Sequence, residues 1–151
     1  MCLLLIWLGA GDLAYPSLVL YQAEQDYRQH FAQVYCRGTI KTFDGIEVRF
    51  RRQQFGHCFF ESVNSKDDTF SPQRAERIDW IKAALQDSNA ELRLGWDNKK
   101  KRAANDRRVV IVVGDYVVII RIYGEKKAEF VTAFVAGQRT IKQIRTNPIW
   151  T

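Results

Sequence analysis

Three runs rich in β-branched residues follow one another closely in the C-terminal half of this chain: VVIVV at 109–113, YVVIIRIY at 116–123 and AEFVTAFV at 128–135. Gly114-Asp115 separates the first two, with glycine in the leading position that a type II′ hairpin turn requires. A second Gly-containing turn, 124–127, joins the last two. Valine and isoleucine occupy both faces of these runs, which makes them the centre of an antiparallel sheet with at least one face covered by helix.

The helices to cover it are signalled upstream. Leu18, Tyr21, Phe31 and Val34 are spaced as in a helix over 18–34, with polar residues between them. Ser71-Pro72 starts a second helix, because a serine hydroxyl caps an orphan N–H and proline at the first helical position gives up a donor that has no partner. That helix is expected to reach Gln86, with Ile78, Ile81 and Leu85 in one inward stripe that includes Arg74 and has Arg77 on its flank. Between the helices, residues 38–43 and 46–52 form a hairpin about Asp44-Gly45, read as a type I′ turn, and residues 55–61 continue as a third strand. The expected fold is α+β: an N-terminal helix and hairpin, then a second helix packed on a curved antiparallel sheet. No repeat or linker divides the 151 residues, so one domain is expected, with 1–54 as an N-terminal extension and 55–150 as its core.

Lys and Arg exceed Asp and Glu by 23 to 17, a formal charge of +6, and part of the excess is the run Lys99, Lys100, Lys101, Arg102. Such a surface favours polyanions, nucleic acid first, or an acidic protein. Cys2, Cys36 and Cys58 are odd in number and widely spaced, which indicates neither a disulfide framework nor a zinc knuckle and fits a reducing cytoplasm. The apolar opening MCLLLIWL falls far below the ~20 residues that cross a bilayer. It reads as a buried strand or docked segment, or else as a cleaved signal.

The chemistry-bearing candidates are few. His57 lies among aromatics in FGHCFFES, and an imidazole titrates near pH ~6.5 when unperturbed, so it can take a proton from a nucleophile and return it to a leaving group. In an extended 55–61 segment, His57, Phe59 and Glu61 share a face. An arginine in an inward stripe, as expected of Arg74, needs a carboxylate such as Glu61 or a phosphate. In the paired strands, symmetric closure of turn 124–127 sets Thr132 beside Ile119 and diagonal to Arg121. His30 reads as structural or exposed. The two histidines are far apart and no metal-ligand spacing, phosphate-binding glycine loop or nucleophile elbow occurs, so neither metal nor cofactor is expected.

The ordered set GHCFFES, FSPQRAERIDWIKAAL, the strand AEFVTAFVAG and the closing IKQIRTNPIW resembles the phage-type barnase/EndoU/colicin/RelE-like nuclease domains, over about 55–150. The resemblance implies a small α+β fold whose concave sheet face cuts RNA without metal. It implies that His57 is the family histidine, Arg74 or Arg77 the helix arginine and Thr132 the strand hydroxyl. With it, Glu61 is the candidate carboxylate, and Arg121, Tyr123, Lys126, Lys99 and Lys101 are candidate phosphate contacts. The function so implied is a metal-independent endoribonuclease of the toxin type, acting in the cytoplasm on RNA such as tRNA, with an acidic antitoxin or immunity protein as a partner. The rivals are a catalytically inactive RNA-binding or protein-binding module of the same fold, and a phage-derived protein whose cationic face meets an acidic host protein.

Overall fold

The computed structural model describes residues 15–97, 102–103 and 108–150. The apolar segment 1–14 lies outside the described residues.

The first helix among the described residues, α1 (Glu24–Val34), turns Tyr27 and Phe31 inward. It begins later than the spacing from Leu18 suggests, and the exposed Leu18 and Leu20 precede it as irregular chain. The short strands β1 (Thr39–Lys41) and β2 (Glu47–Arg49) pair antiparallel. Their turn is not type I′: among the described residues only Gly45 of the Asp44-Gly45 pair has positive φ, +87°. Thr42 N–H donates to the Ile46 carbonyl and Gly45 N–H to that of Thr42, which makes a three-residue loop ending in a left-handed glycine.

The expected third strand over 55–61 is instead a helix followed by a short strand, α2 (Gln54–Cys58) and β3 (Phe60–Glu61). Phe55, Cys58 and Phe59 are all buried. That spacing of i, i+3 and i+4 puts them on one helical face, and the gain from burying two phenyl rings and a thiol overrides the alternation of His57, Phe59 and Glu61. β3 pairs antiparallel with β4 (Thr69–Phe70) across loop 62–68.

Ser71 and Pro72 start the next helix as the sequence implies, with Ser71 Oγ accepting from Arg74 N–H. The helix is not continuous to Gln86. It divides into α3 (Pro72–Ala75) and α4 (Ile78–Leu85), because Arg77 leaves helical geometry at ψ 19°. The break removes Arg74 from the inward stripe; Ala75 is buried in its place beside Ile78, Ile81 and Leu85. Tyr35, fully buried, crosses from α1 into α4: its hydroxyl donates to the Ile78 carbonyl at 2.6 Å and accepts from Lys82 N–H at 3.0 Å. Those are the two groups that an i→i−4 helical bond would join, so the phenol is inserted at a rung of the helix ladder.

The remaining elements are β5 (Glu91–Leu94), the two-stranded ribbon β6 (Trp96–Asp97) and β7 (Arg102–Ala103), β8 (Arg108–Val113), β9 (Tyr116–Gly124), β10 (Lys127–Val135) and α5 (Gln138–Arg145). The three β-branched runs form the adjacent antiparallel strands β8, β9 and β10. Gly114 has φ +61° and Asp115 is not left-handed, as a type II′ turn demands. The main sheet has the order β1-β2-β10-β9-β8-β5, antiparallel except for the parallel pair β2 and β10. The fold is therefore α+β with a mostly antiparallel sheet. Residues 15–54 are no appendage, since β2 is hydrogen-bonded into this sheet and α1 shares its core.

One face of the sheet, carrying Val109, Ile111, Val118, Ile120, Ile122, Ala128, Phe130 and Ala133, packs against the helices. The other carries Val110, Val112 and Val117, covered by Ile141 and Ile144 of α5. After α5 the chain returns along β5, with Leu94 N–H donating to Pro148 and Trp150 N–H to Leu92.

Phe31 is the hub of the helical face. The rings of Tyr35, Phe50, Phe55, Phe59 and Phe130 surround it at centroid distances between 5.5 and 6.4 Å, mostly edge to face or tilted. Phe31→Ala is expected to lower unfolding free energy by about 3–5 kcal/mol, as for other large aromatic truncations in packed cores; urea unfolding followed by fluorescence measures it.

Candidate active site

His57 leaves the exposed side of α2, the face opposite Phe55 and Cys58. The helix is fastened to β10 by two side chains. Gln54 Nε2 donates to the Phe130 carbonyl, and the Cys58 thiol donates to that of Ala133 at 3.5 Å. β2 ends at Arg49 and pairs with β10 only through Glu129, so α2 takes over along the next part of that strand's edge. Burial, the largest influence on it, pushes the Cys58 thiol up to about 12, so it remains a protonated donor at neutral pH.

The register of β10 places Thr132. The strand shifts by one residue between Lys127 and Ala128 and shifts back between Phe130 and Thr132. Phe130 faces the core, and without the second irregularity the period of two would turn residue 132 inward as well. With it, Ala133 takes the core position and Thr132 pairs with Ile119 on the opposite face. The expected neighbour is found: the 124–127 turn closes symmetrically, with Lys127 opposite Gly124, and the two later shifts cancel before Thr132.

His57, Glu61, Arg74 and Thr132 line one open cavity of about 480 Å³ together with Phe60, Ser62, Asp67 and Phe134. Four segments supply them: the end of α2, the β3–β4 hairpin, α3 and β10. Arg74 is half-buried and donates to the Phe60 carbonyl at 3.0 Å. It makes no ion pair among the described residues, so the rest of its guanidinium fork is left for an anion. Glu61 is exposed and is not the carboxylate that meets His57.

That carboxylate is Asp67, whose Oδ2 lies 3.2 Å from His57 Nδ1. An ionised carboxylate only accepts, so the contact fixes the hydrogen on Nδ1 and leaves the Nε2 lone pair to receive a proton. Asp67 adopts the left-handed region at φ +51°, a conformation that aspartate tolerates better than most side chains. Its N–H donates to Ser62 Oγ at 2.9 Å. Next to it, the Asp68 carboxylate collects the N–H groups of Val63, Asn64 and Ser65 at 2.9, 3.0 and 2.9 Å. Spacing did not single out Asp67. The available signal was two consecutive aspartates in a polar loop between Phe60-Glu61 and Thr69-Phe70, which would pair as a hairpin folding back toward His57.

The other candidates lie elsewhere. Arg77 does not line the cavity: it donates to the Gln73 carbonyl and to Glu76 and covers Trp80 with its guanidinium, 5.2 Å from the ring centroid. Arg121 shares the Thr132 face, but its cross-strand partner Glu129 takes its guanidinium. Tyr123 is exposed near the far end of β9. Lys126, at φ +55°, sits in the β9–β10 turn with its Nζ 3.5 Å from the Asp44 carbonyl. At a rise of about 3.3 Å per residue, that turn is roughly 16 Å along β10 from Thr132. Lys99 and Lys101 lie outside the described residues. His30 joins α1 to α4, with Nε2 2.7 Å from Asp79 and Nδ1 2.9 Å from the Tyr21 hydroxyl. Among the described residues no three His, Cys, Asp or Glu side chains cluster as metal ligands do.

The three N–H groups hold the Asp68 carboxyl far below the usual carboxylate range. A depressed folded value means that its stabilisation of the loop is complete above the unfolded value of about 3.9 and is lost as pH falls from there toward the folded one. Amide protection at Val63, Asn64 and Ser65 is thus expected to persist unchanged from neutral pH to about pH 4 and to weaken below it. In Asp68→Ala it should be absent throughout, as hydrogen exchange by NMR would show.

Comparison of the chain with protein-family models, with curated proteins and with solved structures finds no match.

Proposed function

We propose that the chain is a metal-independent endoribonuclease of the barnase/EndoU/colicin/RelE-like type, cutting RNA by attack of the ribose 2′-hydroxyl on the adjacent phosphorus. The observation that carries this reading is the lining of one open cavity by His57, Arg74 and Thr132, brought there from α2, α3 and β10. Its volume of about 480 Å³ suits a nucleotide-sized group. The order of elements, with α2 to α4 ahead of β8 to β10, is compatible with that fold type.

In this reading the O2′–P bond forms and the P–O5′ bond breaks, leaving a 2′,3′-cyclic phosphate and a 5′-hydroxyl. One proton must leave O2′ and one must arrive at O5′. His57, held by Asp67 in the tautomer with a free Nε2, accepts the first and can return it to the second. Glu61, at the rim of the same cavity, is the alternative acceptor, with His57 then serving as the acid. The Arg74 guanidinium binds the non-bridging oxygens as charge grows on them, and the Thr132 hydroxyl donates to one of them.

Cleavage of tRNA or total RNA by the purified chain in EDTA tests the reading. His57→Ala and Arg74→Ala should each lower the rate by about 10²–10⁴-fold. Tyr123→Phe, outside the cavity, should leave it near the wild-type value. RNA that survives the wild-type chain intact refutes the proposal, and cleavage only on addition of divalent cations refutes its metal-free chemistry.

A further inference from the structure

A second cleft of about 520 Å³ lies on the other side of α2, between it and α1. Gln25, Gln29 and Gln33 line it from α1, where their i, i+4, i+8 spacing sets them in a row about 12 Å long. Arg28 stands beside this row, and Arg37 and Arg52 complete the charged lining. Among the described residues no carboxylate lines the cleft, although Glu24 pairs with Arg28 at 2.7 Å. Arg37 and Arg52 are exposed and make no ion pair or side-chain hydrogen bond among the described residues.

One side chain, Arg28, stands between the cleft and the His57 cavity. The Arg28 guanidinium stacks 4.4 Å from the Phe55 centroid, within the cleft, and lies 5.8 Å from that of Phe60, which lines the cavity. An anionic strand leaving the cavity past Phe60 therefore meets Arg28 next and the two uncompensated arginines beyond it.

We propose that this cleft is a second RNA-binding subsite, in which Arg37 and Arg52 hold phosphates and the glutamine row contacts ribose and base edges of the nucleotides flanking the cleaved bond. The inference rests on the ribonuclease reading for what occupies the cavity. Arg37 and Arg52 line one cleft without a carboxylate partner among the described residues, and their like charges favour a polyanion as occupant. Amides both donate and accept, as sugar and base groups require. An acidic protein fits less well, because Phe31 and Phe55 in the lining are buried and leave no aromatic anchor for a protein partner.

The test is binding of a fluorescent single-stranded oligonucleotide with 2′-O-methyl riboses, which cannot undergo 2′-attack, to the full chain at several salt concentrations. The double variant Arg37→Ala/Arg52→Ala should bind roughly tenfold more weakly at low salt and lose about 1.4 from the slope of log affinity against log salt, as two released phosphate contacts imply. Gln29→Glu should weaken binding by repulsion, while Tyr123→Phe, outside both the cavity and the cleft, should leave it unchanged. With cleavable substrates, the double variant should raise KM for long RNA and leave dinucleotide cleavage alone. Unchanged oligonucleotide affinity in the double variant, with melting temperature preserved, overturns the proposal even if the chain cuts RNA. A chain that binds RNA through Arg37 and Arg52 but never cuts it overturns the nuclease reading and keeps the subsite. Failure of the wild type to bind RNA, with poly-glutamate bound through the same arginines, assigns the cleft to an acidic protein and also overturns the proposal.

Discussion

The packing of aromatic rings around Phe31 is the constraint on which the remaining geometry depends. α2 has only five residues, far too few for a helix to persist alone in water, so its existence is a tertiary effect. Phe55 and Phe59 hold it against Phe31, and Phe31 in turn touches Phe50 at the end of the β2 strand and Phe130 in β10. The helix can then sit in only one place along the sheet. His57 leaves its far side at a position set by rings that it does not touch.

A second constraint acts on β10. Its inner face must present Phe130 and Ala133 to the core, while Thr132 is needed on the outer face beside Ile119. A regular strand cannot satisfy both, and one extra residue in the ladder, Val131, reconciles them. The irregularity also bends the strand near the point where the cavity opens. α3 contributes by its shortness: ending at Ala75, it leaves Arg74 half-buried, reaching the Phe60 carbonyl, instead of driving a guanidinium into the apolar stripe of α4.

Much of this was legible in the sequence. The β-branched runs, Gly114-Asp115 and Ser71-Pro72 each act through neighbouring residues only, so their local chemistry suffices to locate β8, β9, β10 and the start of α3. The 55–61 segment was misread because it carries two periods at once. Alternation joins His57, Phe59 and Glu61, whereas the helical spacing joins Phe55, Cys58 and Phe59, and only the presence of Phe31 decides between them. The same limit applies to Asp67. Its contact with His57 depends on the pairing of β3 with β4 and on a left-handed backbone angle, neither of which residue identity announces. Arg77 had the composition of a site residue, but the break at its own ψ angle turned it toward Gln73, Glu76 and Trp80.

The replacement of β2 by α2 along one side of β10 has a cost-saving outcome for the molecule in solution. A strand flank with bare carbonyls invites another chain to add itself there and start aggregates. Gln54 and Cys58 occupy the carbonyls of Phe130 and Ala133, so the helix that presents the imidazole also acts as a guard against intermolecular strand pairing. Loosening it would therefore displace His57 from the cavity and bare the strand flank in the same stroke, tying retention of the cavity to protection of that edge.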